Sequence, residues 1–104
     1  MTTKVISVRG RGKTFWNEVL DNPDIYVYIG RAVRFTPFKK SKWYNPFIKG
    51  KDGTTTEIIE KYRQYILSKP KLLKQLLELK GKTLACWCKP DLCHGDVLIK
   101  LLGE

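Results

Sequence analysis

Acidic side chains are scarce in this sequence: 10 Asp and Glu stand against 20 Lys and Arg, a formal net charge of +10. Histidine and methionine occur once each, and cysteine three times. Apolar runs extend over only a few residues, which excludes a helix that crosses a bilayer. The opening Met1-Thr2-Thr3-Lys4-Val5 has no apolar stretch of the kind a secretion signal needs, so a cytoplasmic protein without membrane contact is expected. No internal repeat, low-complexity tract or Pro/Gly/Ser linker divides the chain. Its 104 residues suit one domain, 1–104, with a real but modest core. In a reducing compartment, three clustered cysteines point to metal binding or thiol reactivity rather than to a disulfide frame.

The positive excess is uneven. Residues 1–53 hold 11 basic and 4 acidic side chains, and the remainder holds 9 and 6. A concentrated positive field favours phosphate-bearing partners, nucleotide or nucleic acid. A lysine-rich surface kept for solubility carries the same charge, so charge alone does not choose a function.

Along the chain, Lys4 to Val8 is a β-branched run that reads as a strand. It runs into Arg9-Gly10-Arg11-Gly12-Lys13, where glycine-freed amides beside Arg9 and Arg11 form a candidate anion cradle or a plain basic turn. Trp16, Val19 and Leu20 lie at helical spacing before Asp21-Asn22-Pro23-Asp24 stops the pattern. Residues 25–29 form the clearest strand of the first half, followed at once by Gly30 and Arg31. Residues 32–53 are irregular and interleave Phe35, Phe38, Trp43, Tyr44 and Phe47 with lysines. Such a segment suits base stacking beside phosphate contacts, yet aromatic rings also pin loops to cores, as expected for about half of them here.

Helix signals then strengthen. Thr54 and Glu57 match a capping box, with Ile58, Ile59, Tyr62, Tyr65 and Ile66 on one face. Pro70 opens a second helix in its first turn, and Gly81 ends it. Residues 84–88 read as a strand, a Pro-Asp turn follows, and Asp91 is placed to cap a last helix carrying Cys93, His94 and Asp96 in its first turn. The order strand, helix, strand, loop, two helices, strand, helix defines an α/β fold. The expected architecture is one small domain with a mostly parallel, Rossmann-like sheet and helices packed against it. The site is expected at the carboxyl ends of the strands.

Three segments together carry a resemblance: Tyr28-Ile29-Gly30-Arg31, Trp43-Tyr44-Asn45-Pro46-Phe47, and the run from Gly81 to Leu98 with its Cys86-Trp87-Cys88-Lys89-Pro90-Asp91-Leu92-Cys93-His94-Gly95-Asp96 signature. Over roughly residues 25–102 the chain resembles domain of unknown function family 4326, small proteins of phages, archaeal viruses and prokaryotes. Tyr44 stands where the family usually has Gly before Asn-Pro-Phe, and residues 9–24 are longer than is usual for it. The resemblance implies a compact α/β domain with a polar site built from the Gly-Arg, Asn-Pro-Phe and Cys-His segments, in the host cytoplasm if the protein is viral. It implies no reaction.

Side-chain chemistry supplies the candidates. A phosphate-bearing ligand at the strand ends would meet Gly30 and Arg31, with Asn45 reading a base or ribose edge and Trp43 stacking on a ring. Arginine is the residue suited to a bidentate phosphate contact. For catalysis, Cys93 or Cys88 would be the nucleophile, His94 the general acid or base, and Asp96 an orienting carboxylate. No cofactor is required by this reading. The alternative is a DNA- or RNA-binding module stabilised by zinc on Cys86, Cys88, Cys93 and His94, a Cys₃His set whose spacing is tighter than the usual knuckle. Equally, Cys86 and Cys93 fit as apolar core residues. The oligomeric state is not encoded in any of these patterns.

Overall fold

Alternation along three short strands sorts the side chains onto two faces of one sheet. The computed structural model describes residues 2–87 and 93–103. Strand β1 (Lys4–Ser7), β2 (Tyr26–Tyr28) and β3 (Thr83–Cys86) are all parallel, in the order β1-β3-β2. Val5 and Val27 both register with Leu84, and Ile6 and Tyr28 both register with Ala85. Successive residues therefore point to opposite faces. Val5, Val27, Leu84 and Cys86 belong to one core cluster; Ile6, Val8, Tyr26, Tyr28, Ala85 and Trp87 belong to the other. The central strand is buried on both faces, with Leu84, Ala85 and Cys86 fully shielded, as a parallel sheet between helices requires.

Helix α1 (Lys13–Asp21) covers the second face, with Val19 buried, Phe15 edge-on to Tyr26, and Trp16 against Phe38 and Trp87. Helices α2 (Thr55–Leu67), α3 (Pro70–Gln75) and α4 (His94–Leu101) enclose the first cluster. The expected capping box at Thr54 and Glu57 is present, and Pro70 opens α3. That helix is shorter than its leucine spacing predicts. Leu76–Leu79 tightens to a 3-10 turn whose Leu76 and Leu79 are the buried positions, since side chains three apart eclipse in a 3-10 turn.

Two features of the last helix depart from the sequence-based expectation. It begins at His94, and its N-cap is Cys93 rather than Asp91, which lies outside the described residues. Cys93 Sγ accepts the Gly95 N–H at 3.4 Å, and the Asp96 carboxylate accepts the Cys93 N–H at 3.1 Å. The pair acts as a capping box with sulfur in place of a hydroxyl. Among the described residues no helix is long and apolar enough to cross a membrane.

Candidate functional site

The carboxyl ends of β2 and β3 meet two loops and the start of α4. Ile29 stays in register one step past β2, its N–H donating to the Ala85 carbonyl at 2.9 Å. Gly30 follows because nothing larger fits: a β-carbon there would fall 2.5 Å from the Tyr28 hydroxyl. That hydroxyl donates to the Arg31 carbonyl at 2.6 Å and accepts the Trp87 indole N–H at 2.9 Å. Tyr28 thus ties the ends of both strands together from beneath.

Arg31 reaches across to the loop. Its Nε and Nη2 donate to the Asn45 carbonyl at 2.9 and 2.6 Å, and Nη2 also donates to the Phe47 carbonyl at 2.8 Å. The Asn45 side-chain oxygen accepts the Phe47 N–H at 2.9 Å, a local turn bond typical of Asn. Arg31 therefore spends two of its three nitrogens, Nε and Nη2, on bracing Asn45-Pro46-Phe47. Trp43 is only 1 % exposed and belongs to the core cluster, so its ring is turned away from any ligand. Its indole N–H has no hydrogen-bond partner among the described residues, while its carbonyl accepts the buried Tyr62 hydroxyl at 2.7 Å. Burial holds the Tyr62 hydroxyl far above the ordinary tyrosine range, so it remains protonated as a donor.

His94 sits behind this loop, 3 % exposed. Its Nε2 lies 2.7 Å from the Ile29 carbonyl. A carbonyl only accepts, so Nε2 carries the proton and Nδ1 of the neutral ring is an acceptor. The ring packs edge-on against Tyr62 with centroids 4.9 Å apart. Burial pushes the imidazole pKa below its ordinary value; the Ile29 bond, Cys86 and Asp96 oppose the shift, and Arg31 adds to it. Between the ordinary histidine value of 6.5 and the lower folded value, the unfolded chain binds a proton that the folded one refuses. Stability is therefore lost as pH falls through that window and is unaffected above it. The melting temperature is expected to drop as pH falls below about 6.5, and His94→Gln is expected to remove that part of the drop. An unchanged profile in the variant would show that another group titrates there.

Cys86 and Cys93 gather on the buried side of His94, both fully buried, with sulfurs 3.0 Å apart. Cys93 Sγ lies 3.8 Å from His94 Nδ1. Cys93 and His94 thus converge more than side chains one position apart on a helix would, because Cys93 is an extended cap residue. Tetrahedral zinc at about 2.3 Å from each thiolate holds its sulfurs roughly 3.8 Å apart, wider than this pair. Among the described residues no group of three or more His, Cys, Asp or Glu is arranged to hold a metal ion. Cys88, the remaining member of the expected set, lies outside the described residues.

A cavity of about 490 Å³ opens in front of His94. Gly30, Arg31 and Arg34 form one side, Asn45, Phe47 and Lys49 the other, with Trp87, Ile58 and His94 at the back. Among the described residues, three cations and no carboxylate line it. Arg34 and Lys49 escaped the sequence reading, because only the fold brings residues 31–34 opposite residues 45–49. Arg9 and Arg11 leave β1 at the same sheet edge but do not line the cavity; the Arg11 guanidinium lies 4.5 Å from the Phe15 ring centroid.

A parallel three-stranded sheet with helices packed against it and a cationic pocket at its carboxyl edge defines a small α/β class of domain. Residues 13–104 match the family described as a domain of unknown function, DUF4326, and the chain belongs to that family. The match takes in α1 as well as the segments that carried the resemblance. An uncharacterised protein of Acanthamoeba polyphaga mimivirus is 39 % identical over 95 residues, covering 82 % of this chain and 71 % of its own length. No solved structure matches the chain significantly.

Proposed function

We propose that the domain binds a phosphate-bearing nucleotide or nucleotide derivative in the cavity at the carboxyl edge of its sheet. The observation that carries this reading is the lining: Arg31, Arg34 and Lys49 together with the apolar surfaces of Phe47, Trp87 and Ile58, and no carboxylate among the described residues. Its volume of about 490 Å³ lies within the range of small-molecule sites, and parallel α/β sheets place ligands at this edge. Anionic phosphate pairs with the three cations, the aromatic rings take a base, and Asn45 Nδ2 supplies a donor for a polar edge.

The test is calorimetric titration with the four ribonucleoside monophosphates, their nucleosides and inorganic phosphate. At least one monophosphate is expected to bind, and its nucleoside to bind at least tenfold more weakly. Arg34→Glu and Lys49→Glu sit on exposed residues and are expected to weaken binding by about tenfold or more each, roughly 1.4 kcal/mol, with the melting temperature unchanged. Nucleosides binding as well as nucleotides, or affinity indifferent to both reversals, would overturn the reading.

A further inference from the structure

On the far side of the 40–49 segment lies a second concavity that shares no lining residue with the strand-edge cavity. It measures about 730 Å³ and runs between residues 40–44 and the junction of α2 with α3. Lys40, Lys42 and Tyr44 form one wall; Tyr65, Lys69 and Lys71 form the other. Among the described residues no carboxylate lines it. Glu78, which pairs with Lys42 at 2.6 Å, offsets one of the four charges from outside the lining.

The two walls repeat one arrangement. Lys40 Nζ lies 4.9 Å from the Tyr44 ring centroid, and Lys69 Nζ lies 5.3 Å from that of Tyr65. Each wall therefore carries a tyrosine ring with a lysine cation over one face, the combination of ring and charge that single-strand sites use for bases and phosphates. We infer that this groove is a docking track for single-stranded nucleic acid, a function that goes beyond nucleotide binding at the strand edge. Charge complementarity selects a polyanion. The paired rings select unstacked bases, which a duplex does not offer.

The groove is tested with the full chain and a fluorescein-labelled oligothymidylate, its duplex with oligoadenylate, and polyglutamate, followed by anisotropy across a salt series. Four lysines on single-stranded phosphates set an expected slope of about −3 in log affinity against log salt, at roughly 0.7 per contact. The double variant Lys40→Gln, Lys69→Gln is expected to shallow that slope by about 1.4. Tyr44→Ala is expected to weaken binding at least fivefold, the lower bound for one stacked base, with the slope unchanged. The lysines are exposed, so their variants are expected to melt with the parent protein. Mononucleotide titration of the same variants is expected to match the parent, which separates this groove from the strand-edge cavity. Absence of oligothymidylate binding, equal affinity for the duplex or polyglutamate, or a slope that the lysine variants leave intact would each overturn the inference.

Discussion

Gly95→Ala is expected to destabilise the domain by about 1–2 kcal/mol. An added β-carbon would lie 2.8 Å from Val5 Cγ2 and 2.9 Å from Ile29 Cδ1. Neither is the loose end of a long chain; both are branched side chains held in the sheet or its extension, and Ile29 is fully buried. Overpacking of this kind costs about 1–3 kcal/mol. Alanine recovers up to about 1 kcal/mol through its higher helix propensity, so the steric effect wins by a modest margin. Relief requires the start of α4 to lift from β1. That movement pulls His94 Nε2 from the Ile29 carbonyl and Cys93 from Cys86, contacts now at 2.7 and 3.0 Å. Urea denaturation gives the stability change, and nucleotide titration is expected to show weaker binding in the same variant. A stabilised Gly95→Ala protein would mean that propensity dominates and that α4 is not packed this closely.

Gly95 also marks the boundary of what the sequence reveals. Strand and helix identities follow from local patterns: alternation in residues 4–8 and 25–29, the Thr54–Glu57 capping box, the leucine stripe after Pro70. Parallel pairing follows from the element order, because the helices that cover both faces occupy the connections between strands. The irregular 32–53 segment yields only half of its meaning. Phe38 and Trp43 are 2 % and 1 % exposed and do pin the loop, whereas Phe35 is 88 % exposed at a φ of +66°. Nothing in composition separates these rings; the separation comes from which of them the fold turns inward. Cys93 is a similar case. A stripe of Cys93, Val97 and Leu101 correctly suggests burial, and Cys93 is fully buried, but its role as a sulfur cap depends on Gly95 and Asp96 following it in one turn.

The candidate site is legible as a set of segments and illegible as a set of roles. Gly30, Arg31, Asn45 and His94 do line one cavity, although they are spread over more than sixty positions of sequence. Their chemistry is divided differently from what residue type alone suggests. His94 is oriented by a backbone carbonyl, while Asp96 closes the cap of its helix. Trp43 supplies core volume and a carbonyl for Tyr62, and Trp87 and Phe47 supply the aromatic lining. Long-range contacts decide each of these assignments, so no window of sequence contains them.

Arg31→Lys is expected to cost roughly 2–3 kcal/mol of stability, the range for hydrogen bonds from a charged donor, despite conserving the charge. The guanidinium makes its three bonds from two nitrogens to two carbonyls that face it from Asn45 and Phe47. Lysine offers one compact ammonium on a flexible stem and lacks the planar fork that spans both acceptors. One carbonyl then loses its partner, and the Asn45-Pro46-Phe47 turn is left with one lysine contact and the Asn45 side-chain bond to the Phe47 N–H. The loop forms one wall of the strand-edge cavity, so nucleotide affinity is expected to fall together with the denaturation midpoint. A purely ligand-contacting arginine would behave in the opposite way, with affinity lost and the midpoint unmoved. Urea denaturation beside calorimetry on Arg31→Lys and Arg34→Lys distinguishes the two: Arg34 is exposed, and its replacement is expected to leave stability within about 0.5 kcal/mol of the parent. If Arg31→Lys also stays within that margin, the brace from β2 to the Asn-Pro-Phe turn is not what holds the cavity open.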